Sequence, residues 1–232
     1  PEFSFLVFRQ PNGRQAVLGS FSAHSTVLGG GNMEFSGDYP GCWQRAVEQA
    51  TGGMAVFLAG GVGSQSPVPG DRGFAGAEKM GQALAKGLLE ELPRVSLTNS
   101  VAFGVLGCEV SLPTPHVRIT DGVRLRPWVA HRLLPVGERT VLQVFRLNEA
   151  LWISTPCDFS GELALGIKDC LQARGQSAVV TSFNGDYVGY VIPPRYYHLG
   201  GYEPRLMSFY GPYLADYFAE LLRDLALHLA GQ

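Results

Sequence analysis

The sequence lacks the features that would assign it at once to several classes of protein. Its formal net charge is only −2, and charged residues make up 16% of its 232 positions. Such a balance gives no electrostatic case for binding nucleic acid or an anionic membrane surface. No stretch reaches the ~18 consecutive apolar residues of a membrane-spanning helix. The sequence therefore predicts no nucleic-acid partner and no transmembrane segment within the chain.

Cysteine is scarce, and the common nucleotide-binding loops are missing. The four cysteines are Cys42, Cys108, Cys157 and Cys170, with no Cys-x-x-Cys pair and no zinc-finger spacing. They are too few for a disulfide scaffold and leave the redox compartment open. The glycine-rich run 60–64 is not followed by Gly-Lys-Ser/Thr, and 63–67 does not match the Gly-x-Ser-x-Gly turn of α/β-hydrolases.

Apolar patterning predicts an α/β protein. Hydrophobic residues make up 46% of the chain, enough for a sizeable core. Strands are predicted over 3–8, 15–23, 54–58, 140–147, 151–154 and 177–183, with paired extended chain over 95–112. Helices are predicted after Asp38 and over 74–92, 159–173 and 213–229, and residues 113–135 as a long irregular connection. Asn12-Gly13 predicts a tight hairpin. Without an internal repeat or linker, we predict one domain over 1–232, a mixed sheet covered by helices.

Tyrosine is concentrated near the end of the chain. Seven of the nine tyrosines fall within residues 187–213, here called the tyrosine segment. This segment has neither an alternating nor a helical apolar period, so packing alone does not account for it. A phenol can donate a proton, hold an oxyanion or, as phenolate, ligate a metal. The alternative is a small aromatic core beneath a long loop.

Four polar clusters follow predicted strands, at 24–26, 64–66, 158 and 184–190. Ligands of open α/β sheets bind beyond the carboxyl ends of strands, so these clusters could share one pocket. Each key residue also has a structural interpretation. His24 could be a hydrogen-bonded core residue, Asp158 a helix N-cap and Ser66 a turn residue.

The four polar clusters and the segments around them, taken in chain order, resemble the N-terminal catalytic domain of the neutral/alkaline ceramidase family. The members of that family are zinc amidases. The resemblance rests on Phe21-Ser-Ala-His24-Ser-Thr, Gly63-Ser-Gln-Ser66-Pro, Thr155-Pro-Cys-Asp158-Phe and Tyr187-Val-Gly-Tyr190 through Tyr202-Glu and Tyr210-Gly-Pro. It implies zinc ligation by His24, Asp158 and Tyr190. It also implies that Ser66 is the active-site serine and that Tyr202, twelve positions after Tyr190, faces the reacting amide.

Departures from the family pattern bear on the substrate and on the metal. Asp158 stands where the family has Glu, and Arg195 falls where it has an acidic pair. The family's first zinc histidine lies in an upstream Thr-His-Thr-His motif that this chain lacks. Because the chain also begins as a strand already under way, we expect a natural N-terminal segment to precede it. The compartment stays open, with a secreted, periplasmic or membrane-anchored protein implied by the resemblance.

Three functions follow as hypotheses. The first is a zinc-dependent hydrolase of an N-acyl amide, a small-molecule substrate for which a sphingolipid is one candidate. The second is a metal-independent serine hydrolase with Ser66, His24 and Asp158 as its triad. The third is a non-catalytic binding module on the same fold. The oligomeric state is not predicted.

Overall fold

The computed structural model describes residues 2–68, 70–134 and 137–231. It contains two compact units: Pro1–Ala59 with Ser66–Ser100, and Gly60–Gln65 with Val101–Gln232. The single domain over 1–232 stays a prediction. Among the described residues, none of the helices combines the length and apolar character that crossing a membrane requires.

The first unit is a three-stranded sheet with two helices. Its elements are β1 (Phe3–Arg9), β2 (Gln15–Phe21), α1 (Asp38–Thr51), β3 (Met54–Ala59) and α2 (Gly73–Glu91). The strands lie in the order β1-β2-β3, antiparallel and then parallel. Gly13 turns the β1–β2 hairpin with a φ of 84°, which confirms the predicted turn.

Its core lies where α1 packs on the sheet and on α2. Trp43 and Val47 of α1 are fully buried with Leu88 of α2. The Trp43 ring lies 5.5 Å from that of Phe3, so the helix covers the first strand. Gly81 of α2 allows the helices to approach closely, since a Cβ there would lie 2.6 Å from Cys42 Cβ. These contacts follow the apolar periodicity that predicted both helices.

The second unit is built on a four-stranded mixed sheet. The strands of this unit are β4 (Phe103–Ser111), β5 (Arg139–Leu147), β6 (Ala150–Ser154), β7 (Asp158–Phe159), β8 (Ser177–Thr181) and β9 (Tyr190–Val191). The sheet order is β4-β5-β6-β8, with β6 and β8 parallel. The short strands β7 and β9 form a separate parallel pair. The mixed sheets and helices confirm the predicted α/β class.

The helices of the second unit are α3 (Pro127–Leu133), α4 (Gly161–Gln172) and α5 (Leu214–Ala230). Helices α4 and α5 pack against each other and on the sheet, α5 on β5 and α4 on β8. They bury Leu171 and Phe218 completely. Helix α3 corrects the prediction of an irregular connection over 113–135, because Pro127 suits the first turn of a helix. Within 95–112 only β4 is a strand, and its partner is β5.

Candidate functional site

Strands β7 and β9 place Asp158 and Tyr190 side by side. The two residues are direct partners in the parallel pair. The pairing is held by backbone hydrogen bonds, in which Asp158 N donates to the Gly189 carbonyl and Ser160 N to the Val191 carbonyl, each at 3.0 Å. In the chain, strand β7 follows β6 and strand β9 follows β8. Strands β6 and β8 are parallel neighbours in the four-stranded sheet. Two of the predicted metal ligands therefore come together beyond the carboxyl ends of those strands.

The Asp158 carboxylate is buried, with only 3% of the residue exposed, and it is held by phenols. Tyr187 Oη donates a hydrogen bond to Asp158 Oδ2 at 2.7 Å, and the Tyr190 phenol is also a hydrogen-bond partner of Asp158. Burial raises the pKa of both phenols above the ordinary 10.0, and the Asp158 carboxylate raises it further. Both tyrosines are therefore neutral donors near pH 7, and a phenolate here requires a cation to offset the carboxylate.

Asp158 is not the N-cap of the following helix, which corrects the structural interpretation made from sequence. The cap of α4 is Ser160, whose Oγ accepts a hydrogen bond from Glu162 N at 3.3 Å. Asp158 lies two residues earlier because the short strand β7 intervenes before the helix begins. The carboxylate is thus available to the two phenols rather than to helix N–H groups.

The run Gly60–Gln65 belongs to the same unit as this carboxylate. Gly63 N donates to the Phe159 carbonyl at 2.9 Å. Ser64 Oγ accepts from Gly161 N at 3.1 Å. A Cβ on Gly63 would lie 2.4 Å from the Asp158 carbonyl oxygen, so no larger residue fits there. The glycines of this run therefore let the chain pass directly behind β7, and Ser64 contacts the start of α4.

Tyr202 stands next to Tyr190 and opens onto solvent. It begins the π-helical turn Tyr202–Met207, and its ring meets that of Tyr190 edge to face at 6.0 Å and 82°. About half of the residue is exposed. A ligand can therefore reach the Tyr202 side chain from solvent, whereas Asp158 is buried.

A cavity of about 520 Å³ lies along this part of the second unit. Its polar lining includes Ser64, Ser160 and Glu162, and its apolar lining includes Ile192 and Pro204. Glu162 is ion-paired with Arg195 and accepts a hydrogen bond from Tyr196 Oη at 3.1 Å. Arg195, which stands where the ceramidase family has an acidic pair, therefore offsets the charge of the Glu162 carboxylate in the cavity lining.

Arg118 organises the tyrosine segment and was not singled out from the sequence. It is 3% exposed, and its Nη2 donates to the backbone carbonyls of Tyr197, Leu199 and Pro204. Its guanidinium carbon lies 4.5 Å from the centre of the Tyr197 ring. A buried cation thus takes the place of regular secondary structure in satisfying these carbonyls. No local pattern signals this role, since the partners lie about 80 positions away.

The other predicted site residues, His24 and Ser66, belong to the first unit. His24 is half-buried and follows β2, while Ser66 is exposed in the loop after β3. Their roles, and those of the predicted site residues in the second unit, stay predictions.

Zinc suits the two donors that the second unit brings together. Within 2–68, 70–134 and 137–231 no group of three or more His, Cys, Asp or Glu side chains could hold a metal ion. Tyrosine is not one of those residue types, and the Asp158 carboxylate with the Tyr190 phenol is an oxygen pair. Oxygen donors are among the ligands of catalytic zinc. A cation bound here would also offset the negative charge of the buried Asp158 carboxylate.

The candidate site is a buried carboxylate held by phenols on a mixed α/β fold. Two solved structures have a similar fold. A crystal structure of neutral ceramidase from Pseudomonas aeruginosa matches with a TM-score of 0.78 over 99% of this chain, at 18% identity. A structure of a ceramidase complexed with C2 matches with a TM-score of 0.76 over 100% of this chain, at 17% identity.

The matches cover 46% and 48% of those two chains, so this chain spans about half of their length. No protein-family model and no curated protein matches the sequence. At such low identity the likeness shows a shared fold. It confirms the fold that the motif resemblance implied.

Proposed function

We propose that the protein is a zinc-dependent hydrolase of an N-acyl amide bond. The observation that carries the proposal is the buried Asp158 carboxylate, held by the phenols of Tyr187 and Tyr190 on the fold of ceramidases. Asp158, Tyr190 and His24 would hold the metal. The ceramidase fold and the aliphatic cavity lining support an acyl lipid such as a ceramide as the substrate.

Bound zinc would polarise the amide carbonyl and lower the pKa of a coordinated water to about 7. The side chains of the chain do the remaining work. Tyr202, reachable from solvent and packed on Tyr190, donates a hydrogen bond to the developing oxyanion, a contact worth about 2.7–4 kcal/mol in other enzymes. Tyr187 holds the Asp158 carboxylate in place. Ser66 orients the substrate or attacks it, and the Ser66→Ala variant distinguishes these roles, because only a nucleophile is indispensable.

Zinc content measured by inductively coupled plasma mass spectrometry tests the metal. We expect about one zinc per chain in the protein expressed from its natural coding sequence. Asp158→Asn, Tyr190→Phe and His24→Ala should each lower that content. The matched control is Tyr213→Phe, because Tyr213 is 76% exposed and lies at the end of the same segment. A wild-type protein without zinc would contradict the proposal.

Hydrolysis of fluorescent N-acyl amides, with and without inhibitors, tests the reaction. We expect a chelator to abolish turnover, and a serine-reactive phosphonate leaves it unchanged where Ser66 only orients the substrate. The opposite pattern would favour the triad of Ser66, His24 and Asp158. Ligand binding without turnover of any amide, unchanged in His24→Ala, would favour the binding module.

A further inference from the structure

Phe183 has a backbone conformation that its residue type avoids. Its φ is 62°, in the left-handed region. Asp38 and Asn148 are the other non-glycine residues with positive φ in the part of the chain that the structure describes, and Asp and Asn tolerate it. A bulky side chain there is a genuine outlier. Such outliers persist where the surroundings hold them, often beside functional sites.

The backbone around Phe183 is held from both sides. Phe183 N donates to the Cys157 carbonyl at 3.3 Å, and Asn184 N donates to the Thr155 carbonyl at 2.9 Å. These hydrogen bonds tie the turn after β8 to the chain that leads into β7. The conformation is therefore imposed by the backbone, and any residue at position 183 has to adopt it. Glycine or asparagine would do so at a lower cost.

The Phe183 ring contacts the site. It stacks on the Tyr187 ring, with the centroids 6.2 Å apart and the planes 30° from parallel. The residue is 44% exposed, so core packing does not explain the choice of phenylalanine. Tyr187 in turn donates to Asp158 Oδ2. A ring stacked on one face of this phenol restricts the directions in which its hydroxyl can point.

We propose that Phe183 is a positioning residue, which keeps the Tyr187 hydroxyl on the Asp158 carboxylate. It accepts an unfavourable backbone conformation in order to present an aromatic face to Tyr187. Its effect on Tyr187 is a property of the metal-free chain. Its effect on zinc affinity rests on the proposed function and is exerted through Tyr187 and Asp158.

The first test measures the exchange of the Tyr187 hydroxyl proton with water in the metal-free full chain by NMR, with the signal assigned through Tyr187→Phe. A hydroxyl held on Asp158 exchanges slowly. Phe183→Gly removes the ring and relieves the backbone, so we expect an unchanged or higher melting temperature together with exchange at least tenfold faster. Phe183→Trp keeps an aromatic face and should keep the slow exchange. Phe183→Leu keeps an apolar side chain without an aromatic face, so the Tyr187 hydroxyl should exchange fast. Exchange that is unchanged in both Phe183→Gly and Phe183→Leu would overturn the proposal.

The second test is a double-mutant cycle on zinc affinity, measured by competition with a chelating dye. We expect Phe183→Gly to weaken zinc binding about tenfold in the wild-type background and not at all in Tyr187→Phe. Equal losses in both backgrounds would show that Phe183 acts independently of the Tyr187 hydroxyl and would overturn the proposal. A wild-type chain that binds no zinc contradicts the proposed function alone, and the NMR measurement then decides the role of Phe183.

Discussion

The α1–α2 pair of the first unit and the tyrosine segment of the second are held together in different ways. Trp43, Val47 and Leu88 bury apolar surface at helical spacing between the helices and the sheet. The tyrosine segment instead contains a π-helical turn and two strand residues, and three of its carbonyls accept hydrogen bonds from the buried Arg118. Apolar periodicity specifies the first region locally. Single polar contacts over long sequence separations specify the second, so it should be the more sensitive to one substitution.

The largest effect should follow from Arg118→Met. The change leaves three carbonyls without their donor, and hydrogen bonds to charged groups contribute about 1.5–3 kcal/mol each. We expect the free energy of unfolding to fall by about 3 kcal/mol and the tyrosine segment to become a protease target. Urea denaturation and limited proteolysis measure both. The control is Arg132→Met, because Arg132 is exposed on α3. Equal losses in the two variants would break the comparison.

Two glycines of α2 test the helical region, with opposite signs expected. A Cβ on Gly81 would lie 2.6 Å from Cys42 Cβ and 2.8 Å from Trp43 N, so Gly81→Ala should destabilise by about 1–3 kcal/mol through overpacking. A Cβ on Gly87 meets nothing within 4 Å, and Gly87→Ala should stabilise by about 0.5–1 kcal/mol. Thermal denaturation of the two variants gives the signs. Stabilisation by Gly81→Ala would show that close packing does not hold the pair.

A smaller loss is expected at the start of α4. Ser160→Ala removes the oxygen that accepts from Glu162 N and should cost about 1 kcal/mol, whereas Ser160→Gly should cost only a few tenths. Chemical denaturation of both variants measures the difference. If alanine and glycine behave alike, Ser160 does not stabilise the helix as a cap.

The last effect is pH-dependent and concerns Tyr210, whose ionisation lowers the free energy of unfolding under alkaline conditions. Burial raises its pKa from 10.0 to about 12. The unfolded chain therefore loses this proton first, so the contribution is complete below about pH 10 and is lost as the pH rises towards 12. Tyr210→Phe should make the fall in stability between these values shallower by up to about 1.4 kcal/mol per pH unit. Urea unfolding of Tyr210→Phe and of the wild-type chain from pH 8 to 11.5 tests this.

Elements with strong apolar periodicity could be predicted from the sequence nearly to their ends. The helix predicted over 74–92 is Gly73–Glu91, and the one over 213–229 is Leu214–Ala230. Helix α3 and the two-residue strands could not be predicted, because they are too short to show a period. The burial of Arg118 was equally hidden, since its partners are distant in sequence.

The candidate site was predictable only in part. Motif resemblance named Asp158 and Tyr190, which the β7–β9 pairing does bring together. Position alone favoured a helix cap for Asp158, and that was wrong because Ser160 takes the cap. The contact of Tyr187 with Asp158 was missed, since a hydrogen bond across 29 positions leaves no local pattern. The metal and the roles of the predicted site residues stay predictions.

The close approach of the backbone at Gly63 has a consequence for finding related sequences. A Cβ there would lie 2.4 Å from the Asp158 carbonyl oxygen, and one on Gly189, whose φ is 82°, would lie 2.3 Å from the Met207 carbonyl oxygen. Both requirements come from the chain path and are independent of the reaction. A search profile that weights these two glycines, with Asp158 and Tyr190 at their present separations, should therefore retrieve catalytic and inactive relatives alike. The identities of the side chains at the site would then separate the catalytic relatives from the inactive ones.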